Sequence, residues 1–316
     1  AYAVPIFLLI NGYLVIHKDY SMKDYMKKAL RIILVTFVWG MLYNLIFGIV
    51  FHEEKSMIDI ARIVYQGGIY SGEYISIRNW FFWALAIIYI LLPFVSAVFK
   101  SENRKMPWYL FWLVFIFTIG NDLVSRVLTV ITICSDMNLM EFSSIFPKIN
   151  VFTSWDSFAL AYFIAGGMIY QYKEEILSKF RKVKFIPCIL AMSVTLMLYG
   201  MWYMVKTEGY YNIVWAGYPC IALFVGAAML FLLLIDKKIT LPNWILCIIV
   251  KISKNSMGIY FVHLLIGTLL KPIYLAMNGS DMLLMGILFS LVVFLISVIV
   301  CEVVRRIPVL NYLVRL

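Results

Sequence analysis

The chain has 316 residues, 64% of them hydrophobic and 14% charged, with a mean hydropathy of +0.92. Soluble domains run about half apolar and about a quarter charged, so this composition excludes an ordinary water-soluble fold and makes lipid the main solvent. The formal net charge of +10 does not indicate a nucleic-acid binder, because the basic residues lie between apolar runs and not on one polar face.

A membrane-crossing helix needs about 20 mostly apolar residues. The first candidate, 1–17, opens directly on AYAVPIFLLI with no basic flank, which is not a signal peptide. It is short and carries Asn11 within it and His17 at its end; a further helix upstream of Ala1 is expected. A basic stretch follows with Lys18, Lys23, Lys27, Lys28 and Arg31, leading into the second span, 29–51. Lys28 and Arg31 are three apart and share a helix face. They either snorkel to the interface or form an anion clamp, Arg offering a planar fork and Lys a point charge.

The loop 52–78 holds His52 and ends at Arg78, just before IRNWFFWALAIIYILLPF and the third span, 79–99. Trp80 and Trp83 fall where aromatic belts belong, and Trp83 is read as an interfacial anchor. The fourth span is 108–126. The apolar piece VLTVITIC at 127–134 could extend it or stand apart; eight residues cannot cross alone, so it is assigned to an outer loop or re-entrant segment. Arg78, Asp122, Arg126 and Asp156 then form a set of outer charges that either lines a polar cavity or pairs at headgroup level. Four more spans follow at 155–172, 185–205, 214–235 and 256–276, and a last one at 282–302. The segment LPNWILCIIVKISK at 241–254 is too short to span and reads as an interfacial helix.

The charges test this count. On one side fall Lys18, Lys23, Lys27, Lys28, Arg31, Lys100, Arg104, Lys105, Lys173, Lys179, Arg181, Lys182, Lys184, Lys237, Lys238, Lys251, Lys254, Arg305, Arg306 and Arg315, which is 20 of the 27 basic residues. Lys and Arg concentrate in cytoplasmic flanks, so that side, with the C-terminus, is expected inside. One extra span near 127–140 would destroy the asymmetry. The expected architecture is therefore an all-α polytopic membrane bundle over 1–316, one domain, with nine spans visible and ten implied for the intact protein.

His263 sits about 10 Å into the span that starts near Ser256. It either makes an interhelical hydrogen bond or serves as general acid or base, and intramembrane polar groups are functional candidates by default. The five cysteines, Cys134, Cys188, Cys220, Cys247 and Cys301, have no metal-binding spacing and read as packing residues. Three histidines without clustered carboxylates make a metal site unexpected. No P-loop, GxSxG or HExxH motif is present.

AVPIFLLINGYLV, then KKALRIIL, then NWFFWALAIIYILLPF, and late in the chain ISKNSMGIYFVH resemble, in order, the acyltransferase 3 family of bacterial multi-pass membrane proteins. The resemblance spans nearly the whole chain. It implies transfer of an acyl group from cytoplasmic acyl-CoA, acetyl-CoA in the simplest case, to a carbohydrate or other cell-envelope acceptor, in the bacterial cytoplasmic membrane and without a metal. Asn11-Gly12-Tyr13 stands where the family has Ser-Gly-Tyr, and Lys28 and Arg31 match a basic pair assigned to the CoA phosphates. Trp80 matches a family Trp, with Arg78 and Asn79 in place of an upstream His. Tyr260 and His263 match a late Tyr-x-x-His. The family's Arg and His of the first helix would lie before Ala1. The expected roles are thus His263 as the catalytic residue, Lys28 and Arg31 for the donor, and Asn11, Arg78, Trp80 and Tyr260 for the acceptor. The alternative from another class is a transporter of a small polar solute or an exporter of glycans, disfavoured by the lack of inverted repeats.

Overall fold

A computed structural model describes residues 2–50, 56–65, 69–71, 74–76, 80–135, 142, 144–152, 154, 156–181, 185–208, 217–236, 241–277, 282–308 and 310–314. Among the described residues, each of the nine predicted spans contains helix. They are α1 (Ala3–Val15), α2 (Met22–Val50), α4 (Trp80–Phe99), α5 (Met106–Phe115) with its continuation α6 (Asn121–Cys134), α7 (Phe158–Arg181), α8 (Phe185–Glu208), α9 (Ile221–Asp236), α11 (Ser256–Leu275) and α12 (Leu283–Arg306). Between them lie α3 (Met57–Tyr65), α10 (Asn243–Lys254) and the short α13 (Asn311–Val314). Five helices are long and apolar enough to cross a membrane: Met22–Val50, Trp80–Phe99, Met106–Thr129, Ser256–Leu275 and Leu284–Arg305. Shorter apolar helices occupy Ala3–Val15, Ile186–Gly200 and Ile221–Ile235. The architecture is that of an all-helical polytopic membrane protein.

Exposure follows helical period. On α12, Leu284, Leu288, Leu291, Leu295, Ile299 and Val303 form an exposed apolar stripe, while Val293, Ser297 and Cys301 are buried. Such a stripe is a liability in water and the ordinary outer face of a helix in lipid. Three buried polar side chains are satisfied within their own helices: Thr36 Oγ1 donates to Ile32 O at 2.7 Å, Asn44 Nδ2 to Gly40 O at 2.8 Å and Ser297 Oγ to Val293 O at 2.6 Å. In hydrocarbon no water can do this. Ser21 and Asp24 close a reciprocal cap at the start of α2, Asp24 N donating to Ser21 Oγ and Ser21 N to Asp24 Oδ2, each at 3.2 Å.

The chain forms two compact units. One comprises Ala1–Ala29 and Ala84–Lys238, the other Leu30–Trp83 and Ile239–Leu316. In the first, α1 packs on α7 at very short range: a Cβ on Gly12 would lie 1.8 Å from Phe163 O, and one on Gly166 would lie 2.1 Å from Leu9 O. Only glycine permits this backbone approach. In the second unit α11 runs antiparallel to α12, with Asn255 Nδ2 donating to Glu302 Oε1 at 2.6 Å near one end and Tyr274 stacked on Phe289 at 4.5 Å near the other.

Two expectations need correction. Residues 127–134 are neither an outer loop nor a re-entrant piece. A single π-helical turn, Ile116–Gly120, joins α5 to α6 and carries the helix through to Cys134. The polar pair Asn121–Asp122 breaks the apolar run without breaking the helix, because Asn121 Oδ1 accepts from Ile145 N at 2.7 Å and Asp122 pairs with Arg126. The predicted loop 52–78 also contains α3 and a small antiparallel hairpin, β1 (Ile69–Ser71) with β2 (Tyr74–Ser76), in register Tyr70 to Ile75. The predicted interfacial segment forms α10, which has no buried residue.

Candidate functional site

His263 lies on the first half of α11, half-buried. Its Nδ1 is 3.0 Å from Ile259 O, one turn back on the same helix. A carbonyl oxygen can only accept, so Nδ1 carries the proton and donates, and Nε2 presents its lone pair. Nε2 has no hydrogen-bond partner among the described residues. The ring meets Tyr260 edge-on at 5.6 Å. An imidazole with one nitrogen anchored and the other available is the arrangement a general base requires.

The surrounding wall is aromatic. Tyr260 packs edge-on against Phe82 at 4.9 Å and tilted against Phe81 at 5.4 Å, and Trp80 meets Phe81 at 5.9 Å. Phe261 is sandwiched between Phe82 at 4.4 Å and Trp39 at 5.1 Å, and its carbonyl accepts the Tyr43 hydroxyl. These rings give the site an apolar, aromatic wall. Trp80, Tyr260 and His263 are thus brought into one cluster, linked through Phe81. Tyr43, Phe81 and Phe82 were not singled out in the sequence; the polar Tyr43-Asn44 pair inside an otherwise apolar run was the available signal.

Glu302 lies three residues before Arg305, and Asn255 is bonded to it. From there Tyr260 is about 7.5 Å and His263 about 12 Å along α11. His263 therefore stands roughly 17 Å along the helix axes from Arg305.

The other predicted residues fall as follows. Lys28 Nζ stands 3.4 Å over the Tyr20 ring centroid, and the Arg31 guanidinium 4.5 Å over that of Tyr312. Each cation is thus held against a tyrosine face, an attractive contact that also orients it. Asn11, in the unit containing α1, donates from Nδ2 to Phe7 O at 3.0 Å and accepts from Tyr89 Oη at 3.4 Å. Arg78 and His52 lie outside the described residues. His17 Nε2 donates to Gly167 O at 3.1 Å while its ring stacks on Tyr170 at 4.3 Å. Cys220 and Cys301 are buried as packing residues, whereas Cys188 and Cys247 are exposed.

Neither the curated proteins nor the solved structures contain a match to this sequence. The family model described as an acyltransferase domain, by contrast, matches residues 1–306, nearly the full length and the whole of the aromatic cluster around His263. On that match the chain belongs to the acyltransferase 3 family of multi-pass membrane proteins.

Proposed function

We propose that this acyltransferase moves an acyl group, acetyl in the simplest case, from acyl-CoA at the cytoplasmic face to a hydroxyl of a carbohydrate or cell-envelope acceptor. The chain acts as one domain over 1–316, in a bacterial cytoplasmic membrane with its C-terminus inside. The observation that carries the reading is the His263 ring: Nδ1–H fixed on Ile259 O, Nε2 available, and an aromatic wall beside it.

Nε2 takes the acceptor hydroxyl proton as that oxygen attacks the thioester carbonyl. The C–S bond then breaks, and the departing thiolate takes the proton from the imidazolium to leave as free CoA thiol. Trp80 and Tyr260 flank the acceptor. Lys28 and Arg31, on adjacent turns of α2, meet the CoA phosphates, the guanidinium pairing with phosphate and the ammonium acting as a point charge.

Thiol release from acetyl-CoA by full-length protein in proteoliposomes tests the donor assignment. Replacing Lys28 and Arg31 together by Gln is expected to raise the KM for acetyl-CoA about tenfold while kcat stays within about twofold, the signature of lost ground-state binding. An unchanged KM would reduce both cations to membrane anchors.

A further inference from the structure

In the unit that carries His263, α10 has an apolar side that no described part of the protein covers. The helical period places Asn243, Cys247, Lys251 and Lys254 along one face of α10 and Ile245, Ile248, Ile249 and Ile252 along the other. A helix divided in this way ordinarily buries its apolar face against a core. α10 buries no residue: Ile248 and Ile249 stand 49% and 45% exposed, and Trp244, at the border between the faces, 67%. With 12 residues it is about 18 Å long, too short to cross a hydrocarbon core of about 30 Å. A short amphipathic helix in a membrane protein lies along the interface, its apolar face among the upper acyl chains and its polar face toward the headgroups. Trp244 has the amphipathic ring that such a boundary favours.

The junction with α11 fixes where α10 sits within this unit. Asn255, at φ −105° and ψ 4°, leaves the helical range, so the two helices do not run on as one. Its N–H closes α10 on Lys251 O at 3.2 Å, and its carbonyl opens α11 by accepting from Ile259 N at 2.8 Å. Its side chain donates to Glu302 Oε1 at 2.6 Å, three residues before Arg305 on α12. The last turn of α10, with Lys251 and Lys254, therefore lies at the end of α12 that carries Arg305 and Arg306.

Charge then selects among lipids. Across 241–255 and 301–314 the basic residues are Lys251, Lys254, Arg305 and Arg306, and the one acid is Glu302, which already accepts from Asn255. Lys251, Lys254 and Arg306 are exposed, and among the described residues none of them forms an ion pair. Long lysine stems can cover apolar surface while their ammonium groups reach the headgroup level. A zwitterionic headgroup brings its own ammonium beside its phosphate, whereas an anionic phospholipid brings net negative charge to meet this excess.

We propose that α10 is a binding surface for anionic phospholipid, with Ile248 and Ile249 among the acyl chains and Lys251 and Lys254 on the headgroup phosphates. The occupant is the surrounding leaflet and not a soluble phosphate, because the apolar face has to be covered together with the charges. The bound lipid adjoins the start of the helix that carries His263. The binding does not depend on the acyl-transfer reading.

The test uses full-length protein in nanodiscs of equimolar phosphatidylcholine and phosphatidylglycerol, with acyl-chain bromine on one lipid or on the other. Bromine quenches a nearby indole, and the Trp244 share of the signal is the difference from Trp244→Phe protein. Brominated phosphatidylglycerol is expected to quench Trp244 at least about threefold more than brominated phosphatidylcholine, with the preference largely lost in ~1 M NaCl. Lys251→Gln with Lys254→Gln should bring the ratio near one while leaving the phosphatidylcholine quenching in place. Lys254→Gln alone, which should lower the ratio part of the way, serves if the double variant fails to fold. Ile248→Glu should reduce quenching by both lipids at least about twofold. Equal quenching by the two lipids in wild type would overturn the proposal, as would a preference unchanged in the folded lysine variants. Trp244 quenched by neither lipid would also overturn it, placing protein and not lipid on this face.

Discussion

Gly166→Ala tests the close contact of α1 with α7. The new methyl would lie 2.1 Å from Leu9 O and 2.9 Å from Tyr13 N, both backbone atoms of α1 that no side-chain rotation can move. Ordinary contact requires about 3.5 Å, so α1 and α7 must part by more than about 1 Å along that line. A gap of that size forfeits roughly a quarter to a half of the dispersion energy of each facing pair, and overpacking typically costs about 1–3 kcal/mol. Against this, Ala in a helix interior gains about 1 kcal/mol over Gly. A net loss of up to about 2 kcal/mol is expected, because α1 touches α7 along most of its length. Thermal unfolding in detergent should show a fall of up to roughly 8 °C. Gly12→Ala, 1.8 Å from Phe163 O, should behave alike, and the double variant should lose less than the sum, since helices already parted by one methyl accommodate the second. Gly267→Ala is the control: its methyl would meet only Val293 Cγ1 at 3.9 Å, so stability should hold or rise. A Gly166→Ala protein as stable as the Gly267→Ala protein would refute the close packing of α1 on α7.

Two further outcomes follow from single contacts. Asn255 is fully buried and donates to the Glu302 carboxylate at 2.6 Å, so Asn255→Leu should cost about 2 kcal/mol by leaving that carboxylate short of a donor; denaturation unchanged to within about 0.5 kcal/mol would dismiss the bond. Asp19 lies in the exposed turn between α1 and α2, where the hydrogen bond and charge of Lys100, 2.6 Å away, hold its carboxyl below the usual range. The contact is therefore complete above the ordinary carboxylate range and is lost only as pH falls through the lowered value. Carbon-13 titration of Asp19 should move up toward about 3.9 in Lys100→Met, and an unmoved titration would contradict the pairing.

The span pattern was legible because twenty-residue apolar runs between basic flanks leave few alternatives. The error at 127–134 arose where two polar residues, Asn121 and Asp122, interrupted such a run; their partners Ile145 and Arg126 keep the helix intact, and a partner 24 residues away leaves no periodic signal. His263 stood out as an ionisable ring in an apolar helix, and its bond to Ile259 O is a local, four-residue relation that helix geometry already contains. The wall around it is not local: Phe81, Phe82, Trp39 and Tyr43 come from distant segments, and ordinary aromatic residues in apolar helices give no indication of which of them will meet. The same holds for Lys28 and Arg31. Their spacing was readable, but the tyrosines that orient them, Tyr20 and Tyr312, were not.

The most direct test of the central claim uses inside-out vesicles carrying full-length protein, with labelled acetyl-CoA on the exposed cytoplasmic face and label followed into membrane or luminal carbohydrate. Wild type should transfer label. His263→Ala and the isosteric His263→Gln, both folded by thermal unfolding and elution profile, should lose transfer by at least about a hundredfold, the scale of a positioned general base. Transfer by His263→Ala at the wild-type rate would contradict the assignment.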